Sequence, residues 1–166
     1  LLLKKGADIN QVRHTGVSPL WIAIYYNHVG VARLLLDNDG VDVSMSHNDK
    51  SSPLFIACMY GHDGTARLLL ERGADANQAR DDGATPLLIA SQNNHKEVVK
   101  VLLDYDADVA KAMKTGTTPL EKAKQQGYEE IAKLLQSQRS LQEISASTES
   151  PSNSSQRFFV SDRHQP

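Results

Sequence analysis

Apolar residues in this chain fall into two alternating kinds of run. One kind is nearly continuous and opens on proline: PLWIAIYY, PLFIACMY and PLLIAS. The proline follows a hydroxyl residue each time, in Ser18-Pro19-Leu20, Ser52-Pro53-Leu54, Thr85-Pro86-Leu87 and Thr118-Pro119-Leu120. A Ser or Thr hydroxyl caps free N–H groups, and proline at the first helical position loses no hydrogen bond, so each triplet predicts a helix start. These first helices run, for example, from Pro53 to Tyr60. Asn27, Gly61, Asn94 and Gly127 follow them, the residue types that best tolerate the positive φ of a tight turn. The second kind of run is amphipathic. Val31, Leu34, Leu35; Leu68, Leu69; Val98, Val99, Leu102, Leu103; and Ile131, Leu134, Leu135 keep helical spacing and predict a second helix in each unit. Gly40 and Gly73 stand where a C-terminal helix cap is expected.

The units are periodic. Prolines 19, 53, 86 and 119 are spaced by 34, 33 and 33 residues. Gly6, Gly40, Gly73 and then Asp106 take the same steps, and the extra residue falls in DNDGVD, where a loop absorbs it. Two unrelated markers share one period, so the chain reads as an array. A unit of turn, helix, tight turn and helix cannot bury its apolar faces alone and must stack on its neighbours.

These residues resemble the ankyrin repeat. The family's Thr-Pro-Leu-His-x-Ala becomes SPLWIA, SPLFIA, TPLLIA and TPLEKA, and its GADVN-like ending becomes GADIN, GVDVS, GADAN and DADVA. The resemblance covers residues 1–136 and implies an all-α ankyrin-repeat solenoid, with stacked helix-turn-helix units joined by hairpin-like loops. One departure is consistent: the motif histidine is replaced by Trp21, Phe55, Leu88 and Glu121. In the family that histidine ties neighbouring loops together. Its loss is expected to shift cohesion from hydrogen bonding to apolar packing in the first three full repeats.

Residues 1–12 read as the end of an incomplete repeat, with Leu1, Leu2 and Leu3 presenting an edge made for another unit, as in a fragment of a longer array. Repeats are expected over 13–45, 46–79 and 80–112. Residues 113–137 form a capping repeat, because PLEKAKQQ exchanges apolar positions for polar ones and Thr118 with Glu121 makes a capping box. Residues 138–166, rich in Ser, read as a disordered tail. Helix is able to continue through Leu141 and Ile144, and RFFV (157–160) and Ser150-Pro151 are weak candidates for a docking motif and a phosphorylation site.

Composition narrows the function. With 18 basic and 20 acidic residues the formal charge is −2, so no global field attracts nucleic acid or an anionic membrane. No apolar run is long enough to span a bilayer. The only cysteine, Cys58, excludes an internal disulfide and suits an intracellular location, in cytoplasm or nucleus. His28, His62 and His95 recur in register, but equivalent residues of stacked units lie about 8–10 Å apart, too far for shared zinc ligands. Cys58 takes a small buried position, and no P-loop, HExxH or GxSxG stretch is present, so no enzyme, metal or cofactor is expected.

Surface chemistry remains. The resemblance implies a concave binding face lined by turn tips and by the ends of the first helices. At the tips these are His14, Thr15 and Val17; Asn48, Asp49 and Ser51; Asp81, Asp82 and Ala84; and Lys114, Thr115 and Thr117. At the helix ends they are Tyr25, Tyr26, Met59, Tyr60, Gln92, Asn93, Gln125 and Gln126. Tyrosine offers large contact area with few rotors, and methionine adapts, so Tyr25, Tyr26, Met59 and Tyr60 are the expected centre of a protein-binding face. The expected function is a non-catalytic scaffold or adaptor that binds a protein, with no small-molecule ligand. One rival is the regulatory array of a larger enzyme, ubiquitin ligase or channel. A second is a methyl-lysine reader with Trp21, Tyr25 and Tyr26 as its cage.

Overall fold

The computed structural model describes residues 8–12, 14 and 16–148. Among these lie eight helices and no strand: α1 (Pro19–Tyr25), α2 (Val29–Leu36), α3 (Pro53–Tyr60), α4 (Asp63–Glu71), α5 (Pro86–Gln92), α6 (Lys96–Asp104), α7 (Pro119–Gln125) and α8 (Glu129–Thr148). Odd-numbered inner helices stack α1–α3–α5–α7, even-numbered outer helices stack α2–α4–α6–α8, and each inner helix packs on its own outer partner.

Local chemistry sets these boundaries. The hydroxyls of Ser18, Ser52, Thr85 and Thr118 accept the backbone N–H of Trp21, Phe55, Leu88 and Glu121 at 3.1–3.2 Å. Glu121 returns the favour, its Oε2 accepting the Thr118 N–H at 2.8 Å to complete the capping box. Each inner helix then closes on a left-handed residue, Asn27 (φ 54°), Gly61 (74°), Asn94 (60°) or Gly127 (75°). The next residue, His28, His62, His95 or Tyr128, donates its backbone N–H five residues back to Ala23, Ala57, Ala90 or Ala123 at 2.7–3.0 Å. That closure satisfies carbonyls a helix end otherwise leaves open.

The core runs through the stack. Leu20, Leu54 and Leu87 of the inner helices and Leu35, Leu69, Leu102 and Leu135 of the outer ones are buried, as are the four closing alanines. Burying each leucine contributes roughly 1.5–3 kcal/mol. Val31 and Leu34 depart from the expected stripe, being 49% and 70% exposed, whereas the equivalents of Val31 (Thr65, Val98 and Ile131) are buried and those of Leu34 run from half-buried Leu68 and Leu134 to buried Val101. Each later outer helix packs on the one before it, whereas before α2 the described residues supply no outer helix.

Two further features differ from expectation. Gly73 takes φ 85° and Ala74 N–H reaches Leu69 O at 3.0 Å, the expected cap. Gly40 does not serve as one: the inserted residue lets the Asn38 N–H bond Leu35 O at 3.1 Å, and the Asn38 side chain accepts the Gly40 N–H at 3.1 Å. The last helix also runs to Thr148, through the start of the segment read as a tail, with an Arg139–Glu143 ion pair one turn apart at 2.9 Å. Leu1 to Leu3, Gly6, Thr15, Ser150 and RFFV lie outside the described residues.

The connecting loops are tight hairpin-like turns. Backbone N–H groups of His47, Arg80 and Met113 bond the carbonyls of Ser51, Ala84 and Thr117 at 2.9–3.0 Å. Successive tips are laddered: Asp81 N–H donates to Asp49 O and Lys114 N–H to Asp82 O, both at 3.0 Å. The fourth turn position is left-handed, held by Gly16 (77°), Gly83 (86°) and Gly116 (84°) in three turns but by Lys50 (64°) in the second. A side chain there costs about 1–2 kcal/mol. Lys50 offsets little of it, because its ion pair with Asp81 at 3.1 Å is exposed on both sides. Lys50→Gly is therefore expected to stabilise the chain by about 1 kcal/mol, read as a raised urea midpoint; a lowered midpoint contradicts this account of the turn.

Candidate functional site

Closing α1 and α3 by left-handed turns leaves their last residues beside one another at the surface. Tyr25, Tyr26 and Tyr60 are 40%, 64% and 43% exposed, while Ala23 and Ile24 of α1 and Ala57 and Cys58 of α3 are held in the core. Tyr25 is the hub. Tyr26 and Tyr60 meet it edge-on, with ring centroids 5.0 and 5.5 Å away. Trp21, one helical turn earlier, stacks on it at 5.2 Å with planes 10° apart. His28 covers a face of Tyr26 at 6.2 Å, and His62 does the same for Tyr60 at 6.0 Å. Hydrogen bonding to Tyr25, then slight burial, pushes the Tyr60 phenol above its ordinary range.

The other candidate residues are more committed to the fold. Met59 is half-buried, and its carbonyl accepts the Asn93 side-chain amide at 2.8 Å and pairs with His95 Nε2 at 3.1 Å. Asn93 therefore ties α5 to α3 with the group it was expected to offer a partner. Gln92 is half-buried beside it. Partial burial would raise the Asp49 carboxyl, but hydrogen bonds from the Ser51 hydroxyl (2.6 Å) and N–H (3.0 Å), with His47, hold it below its ordinary value. The hydrogen-bonded Arg80 guanidinium holds Asp82 low in the same way, against partial burial, and Asp81 pairs with Lys50. His14 and Asn48 are exposed.

The residues at the motif histidine position show what replaced it. His47 stacks on Trp21 at 5.7 Å, Arg80 Cζ lies 5.5 Å from the Phe55 ring centroid, and Met113 packs on the core. Cohesion shifts to packing at Phe55 and Leu88, which are buried. At Trp21 the expectation needs amending, because the indole Nε1–H donates to Ser51 O of the next turn at 3.1 Å. An indole can reach as a donor where phenyl and isobutyl groups cannot.

Sequence reasoning also missed a pair of asparagines. Asn10 bridges to the next unit through Gly40 O (2.7 Å) and the Asp42 N–H (2.8 Å). Asn77 repeats this toward Asp106 O (3.4 Å) and the Asp108 N–H (2.8 Å). The signal was present: both close a GAD-x-Asn ending.

Cys58 is fully buried, and desolvation pushes its thiol far up, away from the thiolate a nucleophile needs. Among the described residues no group of three His, Cys, Asp or Glu side chains is placed to hold a metal ion, and no helix is long and apolar enough to cross a membrane. The recurring histidines sit at the N-cap positions of α2, α4 and α6. Burial, then the nearby His95, depresses the His62 pKa below its ordinary 6.5. A depressed histidine favours the neutral form when folded, so its contribution is present above pH 6.5 and is lost as pH falls. The urea midpoint is expected to drop between pH 7 and about 5.5, and His62→Gln, which cannot charge, should flatten that drop. An equally steep drop in the variant rules His62 out as its source.

A search of curated proteins returns no match to the chain. The model of ankyrin repeats (three copies) matches residues 1–80 and 74–146, overlapping spans that take in all eight helices except the last residues of α8. With its caps, turns and stacked hairpins accounted for on this plan, the chain belongs to the ankyrin-repeat family.

Proposed function

We propose that this chain is a non-catalytic scaffold or adaptor that binds a protein partner across the ends of its inner helices. Ankyrin repeats are in general protein–protein interaction modules, and the finer reading rests on one observation. Tyr25, Tyr26 and Tyr60 form a single exposed cluster on a frame whose packing is completed without them. Rings already held by Trp21, His28 and His62 lose little freedom when a partner arrives, which conserves binding energy. The partner-facing row extends over Met59 and Gln92 and along the turn tips at His14, Asn48, Asp49, Asp81 and Asp82, with the paired acids and Asn93 shaping the surface. The same face serves whether the chain acts alone or as the regulatory array of a larger protein. A cytoplasmic or nuclear location suits the unpaired thiol of Cys58.

A methyl-lysine cage is not favoured. A quaternary ammonium needs open ring faces around it, within about 6 Å of each centroid. Trp21 and Tyr25 instead stack face to face at 5.2 Å, leaving no gap between them.

The test is affinity capture with the wild-type chain and with Tyr26→Ala/Tyr60→Ala, followed by titration of the captured partner. Loss of both rings is expected to weaken binding at least about tenfold, or 1.4 kcal/mol. Unchanged affinity in a variant that keeps its helical circular dichroism would remove the tyrosine cluster from the interface.

A further inference from the structure

Resting on that reading, we infer that the segment bound by the tyrosine cluster is an uncharged, extended, proline-bearing peptide whose carbonyls accept hydrogen bonds from the tyrosine hydroxyls.

Charge selects the ligand first. Helices α1, α3 and α5 carry no charged residue along PLWIAIY, PLFIACMY and PLLIASQ. At the adjoining turn tips each carboxylate already has a partner: Asp49 with Ser51 and His47, Asp81 with Lys50, and Asp82 with Arg80. The basic members of these pairs are His47, Lys50 and Arg80. Asp63 at the start of α4 is a lone carboxylate beside His62, too little to hold an arginine-rich segment and repulsive to an acidic one. A charged ligand would give up its hydration for little in return.

Shape and hydrogen bonding select next. Two rings meet a third edge-on, at 81° and 86°, on an exposed surface. Aromatic surfaces of this kind receive the flat pyrrolidine rings of a polyproline II helix, which is already extended and loses little entropy on binding. Proline has no backbone N–H, so such a peptide presents carbonyl acceptors only. The cluster supplies the complementary groups. Tyr25, Tyr26 and Tyr60 each carry a phenolic O–H able to donate, on rings whose centroids lie 5.0 and 5.5 Å from that of Tyr25. Met59 lies half-buried at the edge, an adaptable wall for the residues between prolines.

Labelled decaproline is the probe, titrated into the full chain and followed by anisotropy and by emission of Trp21, the only tryptophan, which stacks on Tyr25. Decapeptides of alternating Gly-Arg and Gly-Glu are titrated in parallel. Decaproline is expected to bind saturably and alter Trp21 emission, and the two charged peptides to bind at least tenfold more weakly. Tyr26→Phe/Tyr60→Phe keeps the rings and removes two hydroxyls, and is expected to weaken decaproline about tenfold. Preferential binding of the Gly-Arg peptide, no decaproline binding, or full affinity in the phenylalanine variant each overturns the inference. If decaproline fails while Tyr26→Ala/Tyr60→Ala still weakens the captured partner, only the identity of the ligand falls. If the alanine variant also binds that partner normally, the reading beneath it falls too.

Discussion

A two-helix unit of this length has more apolar surface than it can bury by itself, and contact between successive inner helices removes that surface from water. The consequence is visible along the stack. In α3, flanked on both sides, every residue from Pro53 to Cys58 is buried. In α1 only Leu20, Ala23 and Ile24 are. The outer row shows the same gradient, from exposed Val31 and Leu34 to buried Val98 and Val101. Stability in such an array is close to a sum of unit and interface contributions, so each unit depends on its neighbours more than on any distant part.

This constraint also decides where variation is free. Stacking fixes the leucine after each proline and the alanine that accepts the closing backbone bond, and the closure fixes a residue able to adopt positive φ. The residues just before the closure escape all three demands. They are Tyr25 and Tyr26 in one unit, Tyr60 in the next and Gln92 in the third, so surface chemistry changes there while the scaffold does not. The histidines just after the closure cover tyrosine faces in two units, and in the third His95 reaches back to Met59 O. A Cβ on Gly61 would lie 2.6 Å from that imidazole, which is why glycine suits the turn for space as well as for φ.

Much of the fold was legible because its signals are local. Hydroxyl-proline starts, left-handed closers and helical spacing of leucines act within a few residues, and all eight helices follow from them. Long-range contacts were harder to read. Asn93 looked like surface and ties α5 to α3; Asp49 and Asp82 looked available and are held in their own turns; Trp21 looked like apolar filler and donates to the next turn. Gly40 misled because one inserted residue shifted the cap away from it. For the candidate site, sequence gave the tyrosines their place at helix ends. It gave no sign that three rings from two units would converge on Tyr25, since that requires the stacking offset between units.

Native-state hydrogen exchange, resolved helix by helix, bears most directly on the claim that inter-unit packing carries the fold. The slowest amides should lie in α3 to α6, which have packed units on both sides. Amides of α2 should exchange markedly faster, because Val31 and Leu34 are uncovered. Equal protection of α2 and α4 would contradict the account, since the units would then be holding themselves together without their neighbours.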